Sequence, residues 1–501
     1  MAEAPGPDAV TDGAAGEPFL AAADAAEALG APLPSGAPTA FPAVSTDTRA
    51  IPEGALFVAL KGERFDAHDF LAEAKAKGAA AAVVRAGTPA VPGLPLFEAP
   101  DTLRALGALA AFHRRRFPVH VAAIAGSNGK TTTKEMLASI FRTRGPALAT
   151  EGNLNNEIGV PLTLLRLSKE HTAAAIEVGM NHPGELQRLT EIVRPDAGVV
   201  TLVAAEHLEF LRDLDGVAEA EGELYRGLFA GSTAVVNADD ARCVKQAERV
   251  ASGVKKILFG RSPLADVRLV GVKPLGMEGQ EIFLEGEEWE ADGGAGRLRL
   301  GGKLQLRRCG VRLGFVGEHN AMNAAAAAAV ARALSYSFEE ISRGLAAARP
   351  YAHRSRLLPS PLGVTVLDDC YNASPASMEA ALATLRSLAE SSRGRAIAVL
   401  GDMLELGRAE EEEHRRLGRE AARAGLAIAA FFGPRSSLSS LTFKEISRSS
   451  LSSSSAHFTE IPALVEWLLE RVAPADVVLV KGSRGMKLER VVDALLAPPE
   501  V

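Results

Sequence analysis

The feature that most restricts the fold of this 501-residue chain is a short glycine loop between an apolar run and a helix start. The apolar run covers residues 119–125, and it is followed by Gly126, Gly129, Lys130 and Thr131. Glycines let the backbone curl so that successive N–H groups face an anion, and a lysine adds a fixed positive charge. The pattern predicts a buried strand, a phosphate-binding loop and a helix, in that order.

The loop has the shortened spacing G-x-x-G-K-T-T, because Ile124 stands where the longer phosphate loop has its first glycine. We expect the loop to hold nucleotide phosphates and Thr131 to offer its hydroxyl to Mg²⁺. A glycine turn that only joins a strand to a helix is the alternative. The loop residues predicted to contact the nucleotide are Gly126, Ser127, Asn128, Gly129, Lys130, Thr131 and Thr132.

Composition and charge indicate a multidomain protein without membrane or broad nucleic-acid contacts. A chain of this length with 47% hydrophobic residues can form about three cored domains. No apolar run approaches the roughly 18 to 20 residues of a membrane span, and the N-terminus lacks a signal-peptide pattern. Three widely separated cysteines agree with a reducing compartment, so we expect a cytoplasmic protein. The net charge of −7 argues against broad nucleic-acid binding.

Apolar runs that alternate with helical patterns predict an α/β protein of three domains. We expect a disordered tail over residues 1–15, a small α/β domain over 16–118, a central P-loop ATPase-like domain with a mainly parallel sheet over 119–349, and a Rossmann-like domain over 350–501. The serine-rich segment 436–455 is interpreted as a mobile surface connection without an assigned function. The runs predicted as strands after the first domain are residues 119–125, 173–178, 197–203, 233–236, 256–259, 364–367, 396–400, 427–432 and 477–480.

An ordered series of motifs runs through all three predicted domains and resembles the Mur ligases over about residues 40–495. The resemblance implies an ATP- and Mg²⁺-dependent amide ligase of peptidoglycan synthesis. The last three motifs favour the branch that adds D-alanyl-D-alanine to UDP-N-acetylmuramoyl-tripeptide. We expect a monomer. Another Mur or folylpolyglutamate-type ligase, and a catalytically silent nucleotide-binding scaffold, are the alternatives. The motifs lie at residues 46–49, 56–62, 126–135, 155–161, 177–182, 317–320, 368–373, 401–407 and 481–484.

The resemblance also implies metal ligands and catalytic residues in the central domain. Glu177, at the end of a predicted strand, and His207, after the next strand, are expected to bind Mg²⁺ together with Thr131. Glu221 stands where the family carries a carbamylated lysine, so we expect its carboxylate to replace the carbamate, directly or through water. A solvated strand-end acid, a packing histidine and a helical surface acid are the respective alternatives. The expected catalytic residues are Lys130, Glu177, His207, Glu221 and Arg354.

The remaining predicted contacts concern the nucleotide base, the ribose and the two substrates. By resemblance, His319 and Asn320 face the adenine or else cap a helix, and Asp369 meets the ribose. Arg354 is the preferred phosphate-contacting arginine, with Arg356 as its competitor. Asn372 is expected near the dipeptide. The residues expected to bind the UDP-linked substrate are Thr46, Asp47, Arg49 and Lys61 in the first domain and Asn153, Asn155 and Asn156 in a polar loop.

Overall fold

The computed structural model describes residues 9–11, 19–62, 65–289, 304–447 and 454–498. Its helices and mostly parallel sheets confirm the predicted α/β class. The three larger sheets follow one another along the chain. The predicted domain boundaries, after residues 118 and 349, fall between these sheets and stay predictions. Among the described residues, no helix has the length and apolar character that a bilayer crossing requires.

The first part contains a five-stranded sheet of order β1-β4-β5-β6-β7 and a separate pair, β2 and β3. Residues 9–11, within the tail predicted to be disordered, form β1 and pair antiparallel with β4. The other tail residues lie outside the described ranges. The elements are β1 Ala9–Thr11, β2 Leu20–Ala21, α1 Ala22–Leu29, β3 Ala40–Phe41, β4 Ala43–Ser45, β5 Leu56–Val58, α2 Leu71–Ala76, β6 Ala81–Arg85, β7 Leu96–Ala99 and α3 Thr102–Arg115.

The central part is built on a nine-stranded sheet of order β16-β15-β14-β13-β12-β11-β8-β10-β9. The strands from β8 to β14 run parallel, and the last two pair antiparallel. Its elements are β8 His120–Ala125, α4 Lys130–Phe141, β9 Ala147–Ala149, α5 Gly159–Leu165, β10 Ala173–Glu177, α6 Glu185–Val193, β11 Ala197–Val200, α7 Leu208–Leu211, α8 Leu214–Glu221, α9 Glu223–Arg226, β12 Thr233–Asn237, α10 Ala241–Ala247, β13 Lys255–Gly260, β14 Val267–Pro274, β15 Gln280–Trp289, β16 Leu304–Leu313, α11 Glu318–Ala333 and α12 Phe338–Ala347.

Strand β8 lies in the middle of this sheet and carries the glycine loop at its carboxyl end. Its neighbours are β10 and β11, and the register places Glu177 beside Ile124 and Val200 beside Ala125. Carboxyl ends of adjacent parallel strands meet at one edge of a sheet, so the residues after these strands share one site. Helix α11 packs closely against this sheet and α4 because buried alanines let the backbones approach.

The third part has a six-stranded sheet of order β17-β18-β22-β19-β20-β21, in which β17 alone pairs antiparallel. This topology agrees with the predicted Rossmann-like arrangement. Its elements are β17 Arg356–Pro359, β18 Thr365–Asp368, α13 Pro375–Ser392, β19 Ala396–Gly401, α14 Glu410–Arg423, β20 Ile428–Phe432, α15 Ser437–Ser447, β21 Ser454–Phe458, α16 Ile461–Leu469, β22 Val477–Lys481 and α17 Glu489–Leu496.

The mobile connection predicted for residues 436–455 is wrong over most of that segment. Residues 437–447 form α15, and β21 begins at Ser454. Ser439 is buried and donates a hydrogen bond to the carbonyl of His414 at 2.6 Å, while Phe443 joins the core. Small serine side chains let α15 lie close to α14, so here they serve packing. Residues 448–453 lie outside the described ranges.

Candidate nucleotide site

A cavity of about 540 Å³ opens where the glycine loop and the ends of the central strands face the third part. It gathers side chains that are far apart in the sequence, and most of the predicted site residues line it. Those that do are Ser127, Asn128, Gly129, Lys130, Thr131, Thr132, Asn155, Asn156, Glu177, His207, His319, Asn320, Arg354, Asp369 and Asn372.

The glycine loop has a backbone that side chains at its two glycines would disturb. Gly126 has φ +118° and Gly129 has φ +84°, both in the left-handed region that favours glycine. A Cβ at Gly126 would lie 2.1 Å from Oγ1 of Thr201, and one at Gly129 would lie 2.2 Å from Oδ1 of Asn323. The N–H of Ser127 donates to the carbonyl of Leu202 at 2.9 Å. The loop is therefore held tightly against the segment that follows β11.

Lys130 begins helix α4 and points its ammonium back under the loop. Its Nζ donates to the carbonyl of Gly126 at 2.5 Å and lies 3.6 Å from Oε2 of Glu206. Burial lowers the pKa of Lys130, but the nearby carboxylates of Glu206, Glu221 and Glu177 outweigh that effect and raise the pKa above its ordinary value. Lys130 therefore stays charged at neutral pH and provides a fixed cation at the loop.

Buried carboxylates at this edge of the sheet each have one oxygen without a hydrogen-bond partner. These oxygens are Oε2 of Glu177, Oε1 of Glu206 and Oε2 of Glu221. The other oxygen of Glu177 accepts a hydrogen bond from Nδ2 of Asn155 at 2.9 Å. Burying the carboxylates of Glu177 and Glu206 is costly unless a cation lies near them, so the donor set fits a divalent cation that prefers oxygen ligands. Together with the Thr131 hydroxyl, these carboxylates have the chemistry of a Mg²⁺ site.

Glu206 is the acid that sequence reasoning missed. It lines the cavity. It lies in the segment after β11, immediately before His207 in the sequence. The available signal was an acidic side chain just after a strand that neighbours the phosphate loop, next to a residue already proposed as a ligand. The family resemblance points only to the histidine.

Glu221, expected to replace the family carbamate, lies behind the cavity wall. It ends helix α8, is 2% exposed and does not line the cavity. Burial and the adjacent carboxylate of Glu206 raise the pKa of Glu221 well above its ordinary value, although Lys130 opposes the shift. The alternative of a helical surface acid is wrong, because this side chain is among the most buried acids described.

His207 connects the central part to the third part. Its Nδ1 lies 2.6 Å from Oε2 of Glu405, and its Nε2 lies 3.9 Å from Oε2 of Glu206. The hydrogen bond with His207 lowers the pKa of Glu405. A carboxylate on one ring nitrogen sets the orientation of an imidazole and leaves the other nitrogen for a ligand. His207 is therefore oriented by a residue of the motif at 401–407.

Other residues of the third part close the cavity on the side opposite the loop. Asp369 accepts a hydrogen bond from Nζ of Lys481 at 2.6 Å and another from the N–H of Ser355 at 2.9 Å. The Lys481 ammonium also donates to the carbonyl of Asn372 at 2.9 Å. The hydroxyl of Ser374 donates to Oδ1 of Asn128 at 3.1 Å. This last contact joins the third part directly to the glycine loop.

The two candidate arginines differ in position. Arg354 lines the cavity, and its guanidinium carbon lies 4.1 Å above the centre of the Tyr371 ring. Arg356 begins β17, where it is exposed, pairs in register with Asp368 and does not line the cavity. The geometry therefore favours Arg354, as predicted, over Arg356.

Several predicted residues do not reach the cavity or have structural partners. Asp47 binds the guanidinium of Arg49, with 2.7 Å between Oδ2 and the nearest nitrogen. Lys61 lies 3.7 Å from Asp66. Asn156 accepts the N–H of Gly159 at 2.8 Å at the start of α5. The predicted residues that do not line the cavity are Thr46, Asp47, Arg49, Lys61, Gly126, Asn153 and Glu221.

The two residues expected at the adenine lie at the start of α11, where both line the cavity. Burial lowers the pKa of His319, so its imidazole is neutral at neutral pH. The Asn320 side chain donates to the carbonyl of Val316 at 2.8 Å and accepts from Nδ2 of Asn323 at 3.1 Å. Gly317 is the N-cap residue of this helix and has no side chain to cap it, so these Asn320 bonds are not the predicted cap.

The strand, glycine loop and helix, together with the cavity closed by the third part, define a multidomain α/β protein of the nucleotide-binding type. Three family models match the chain: "Mur ligase family, catalytic domain" at residues 41–128, "Mur ligase middle domain" at 124–331 and "Mur ligase, glutamate ligase domain" at 353–484. The chain belongs to the Mur ligase family and is a ligase.

Relatives and solved structures extend this likeness over most of the chain. The Escherichia coli protein named UDP-N-acetylmuramoyl-tripeptide--D-alanyl-D-alanine ligase is 38% identical, covering 92% of this chain and 95% of its own. A MurF crystal structure from Acinetobacter baumannii has a TM-score of 0.82 at 32% identity, covering 96% of this chain and 99% of its own. MurF from Thermotoga maritima in complex with ADP has a TM-score of 0.77 at 27% identity, covering 91% and 97%.

Proposed function

We propose that this ligase joins D-alanyl-D-alanine to UDP-N-acetylmuramoyl-tripeptide with ATP, through an acyl phosphate. The observation that carries the proposal is one cavity lined both by the phosphate loop and by the third part. A ligase of this kind must hold a triphosphate, a carboxylate and an amine together while water is excluded. The names of the relatives support this substrate pair over that of another Mur or folylpolyglutamate-type ligase.

The chemistry requires two successive displacements. A carboxylate oxygen of the tripeptide attacks the γ-phosphorus of ATP, and the bond to the bridging oxygen breaks to release ADP. The amine of D-alanyl-D-alanine then attacks the acyl carbon, phosphate leaves, and the amine loses a proton. Both steps concentrate negative charge, which cationic side chains offset. Lys130 and Arg354 both line the cavity and can do so.

Mg²⁺ and the substrates have candidate partners in this arrangement. Mg²⁺ would be held by Thr131, Glu177, His207 and an acid beside them, and when bound it would neutralise phosphate charge. Asp369, His319 and Asn320 would face the nucleoside, while Asn155 and Asn372 would face the peptide ends. The UDP end would bind the first part near Thr46, Asp47, Arg49 and Lys61. The cytoplasmic location, the monomeric state and the absence of nucleic-acid binding stay predictions.

The test is a coupled phosphate-release assay with mass detection of the peptide product. Phosphate should appear in a one-to-one ratio with UDP-N-acetylmuramoyl-pentapeptide, and only when ATP, tripeptide and D-alanyl-D-alanine are all present. Tripeptides ending in lysine and in diaminopimelate should be compared, because the sequence does not distinguish them. No phosphate under any combination would indicate a silent scaffold. Phosphate release with a different amine in place of the dipeptide would indicate another ligase.

The two arginines give a matched pair of variants. We expect Arg354→Ala to raise KM for ATP about 10- to 100-fold, because a charge-assisted contact contributes about 1.5–3 kcal/mol. Arg356→Ala should change KM less than about twofold, since its exposed side chain does not line the cavity. Steady-state kinetics at saturating peptide substrates measures both. A larger effect at Arg356 than at Arg354 would reverse the assignment.

A further inference from the structure

Glu206 has the position of a metal ligand. It lines the cavity, while its side chain is only 12% exposed. Its Oε1 is buried, and a hydrogen bond joins its carboxyl group to that of Glu221. Its Oε2 lies 3.6 Å from Nζ of Lys130 and 3.9 Å from Nε2 of His207. The carboxylate is therefore held from behind by Glu221, while Oε2 lies on the side of Lys130 and His207, where a bound cation would offset the cost of burying the charge.

The distance between Glu206 and His207 suits a shared Mg²⁺ ion. Ligands of octahedral Mg²⁺ lie about 2.0–2.1 Å from the ion, so two of them lie no more than about 4.2 Å apart. The observed 3.9 Å falls within that limit. The other ring nitrogen of His207 faces Glu405, which leaves Nε2 on the side of Glu206.

Glu221 is less well placed for direct ligation. Its carboxylate lies against the backbone of Gly126 and the side chain of Glu206, behind the cavity wall. A glutamate is also shorter than a carbamylated lysine by roughly 3–4 Å. Glu206 is hydrogen-bonded to Glu221 and itself lines the cavity, so it can reach a ligand there that Glu221 does not contact.

We propose that Glu206, rather than Glu221, supplies the carboxylate of the metal–nucleotide site beside His207. Glu221 is a positioning residue that supports Glu206 and the glycine loop from behind. The pair then replaces one carbamylated lysine: the outer acid ligates and the inner acid holds it in place. This inference rests on the proposed function in one respect, namely that the bound nucleotide is ATP with Mg²⁺.

The first test counts bound Mn²⁺ by electron paramagnetic resonance in the presence of a non-hydrolysable ATP analogue. The wild-type chain should bind Mn²⁺ beside the analogue, and Glu206→Gln should weaken that binding by more than about tenfold. Glu221→Gln should weaken it less than Glu206→Gln does, because the glutamine amide can still donate a hydrogen bond to Glu206. Glu209→Gln, an exposed acid three residues further along the chain, is the matched control and should change nothing. Thermal unfolding of each variant confirms that the fold is retained.

Two results of this titration would overturn the inference. They are unchanged binding in Glu206→Gln, and a loss in Glu221→Gln that equals or exceeds the loss in Glu206→Gln. Because the readout is metal binding, it is separate from the phosphate-release assay. If Mn²⁺ binds as described while no peptide substrate is ligated, the proposed function fails and the inference stands.

A second measurement uses the wild-type chain and does not depend on how the variants fold. Crystals grown with Mn²⁺ and the ATP analogue should show an anomalous peak about 2.0–2.3 Å from an oxygen of Glu206 and next to His207. A peak bonded to Glu221 instead, or no peak near either acid, would overturn the inference.

Discussion

Replacing Lys130 by alanine is expected to lower kcat about 10²- to 10³-fold or more while the chain stays folded. The ammonium is the cation that the loop itself provides, and its raised pKa keeps it charged throughout the working pH range. Removing a group that stabilises charge in the transition state costs this much in enzymes with comparable sites. The measurement is phosphate release at saturating ATP and peptide substrates, together with the thermal midpoint of unfolding.

The control for this prediction is Lys245→Ala, which removes an exposed lysine from α10 in the same part of the chain. It changes the net charge equally and should leave kcat within about twofold. Retention of more than about a tenth of the activity in Lys130→Ala would contradict the central role of this lysine.

Substituting alanine for Gly126 should weaken nucleotide binding at least about 100-fold and destabilise the chain by about 1–3 kcal/mol. The added Cβ would lie 2.1 Å from Oγ1 of Thr201 and 2.7 Å from its backbone nitrogen, and φ +118° is strained for alanine. The end of β11 would have to shift, and the loop amides with it. Calorimetric titration with ADP gives the affinity, and urea unfolding gives the stability.

The control variant Gly231→Ala introduces backbone strain without a steric clash. Gly231 also has positive φ, +99°, but a Cβ there meets nothing within 4 Å. This variant should lose some stability and keep its nucleotide affinity within about twofold. If Gly126→Ala were to bind ADP as tightly as the wild-type chain does, the loop would not be the phosphate site.

The sequence predicted the fold well where apolar runs are long and buried on both faces. Every strand predicted between residues 119 and 260 is present in the central sheet. The glycine loop, Glu177 and His207 could be placed together because parallel strands bring their carboxyl ends to one edge. The loop residues predicted to contact the nucleotide line the cavity for the same reason, apart from Gly126.

The wrong and missing predictions have physical causes that cannot be read from composition. Serine-rich segments are usually solvated, but α15 uses serines as small residues at a helix contact. Glu206 and Glu221 lie fifteen residues apart, and only the turn of α7 and α8 back toward the loop brings both beside Lys130. The cross-domain contacts of Glu405 and Ser374 depend on how the third part closes, which no local pattern encodes.

The closing contact between Glu405 and His207 depends on the ionic strength of the solution. Its two side chains are 55% and 22% exposed, so dissolved ions reach them readily. Ion pairs of this kind are screened within about 10 Å at 0.1 M ionic strength and weaken further in concentrated salt. The attraction that this contact adds between the third part and the central part is therefore small, and it falls as the salt concentration rises.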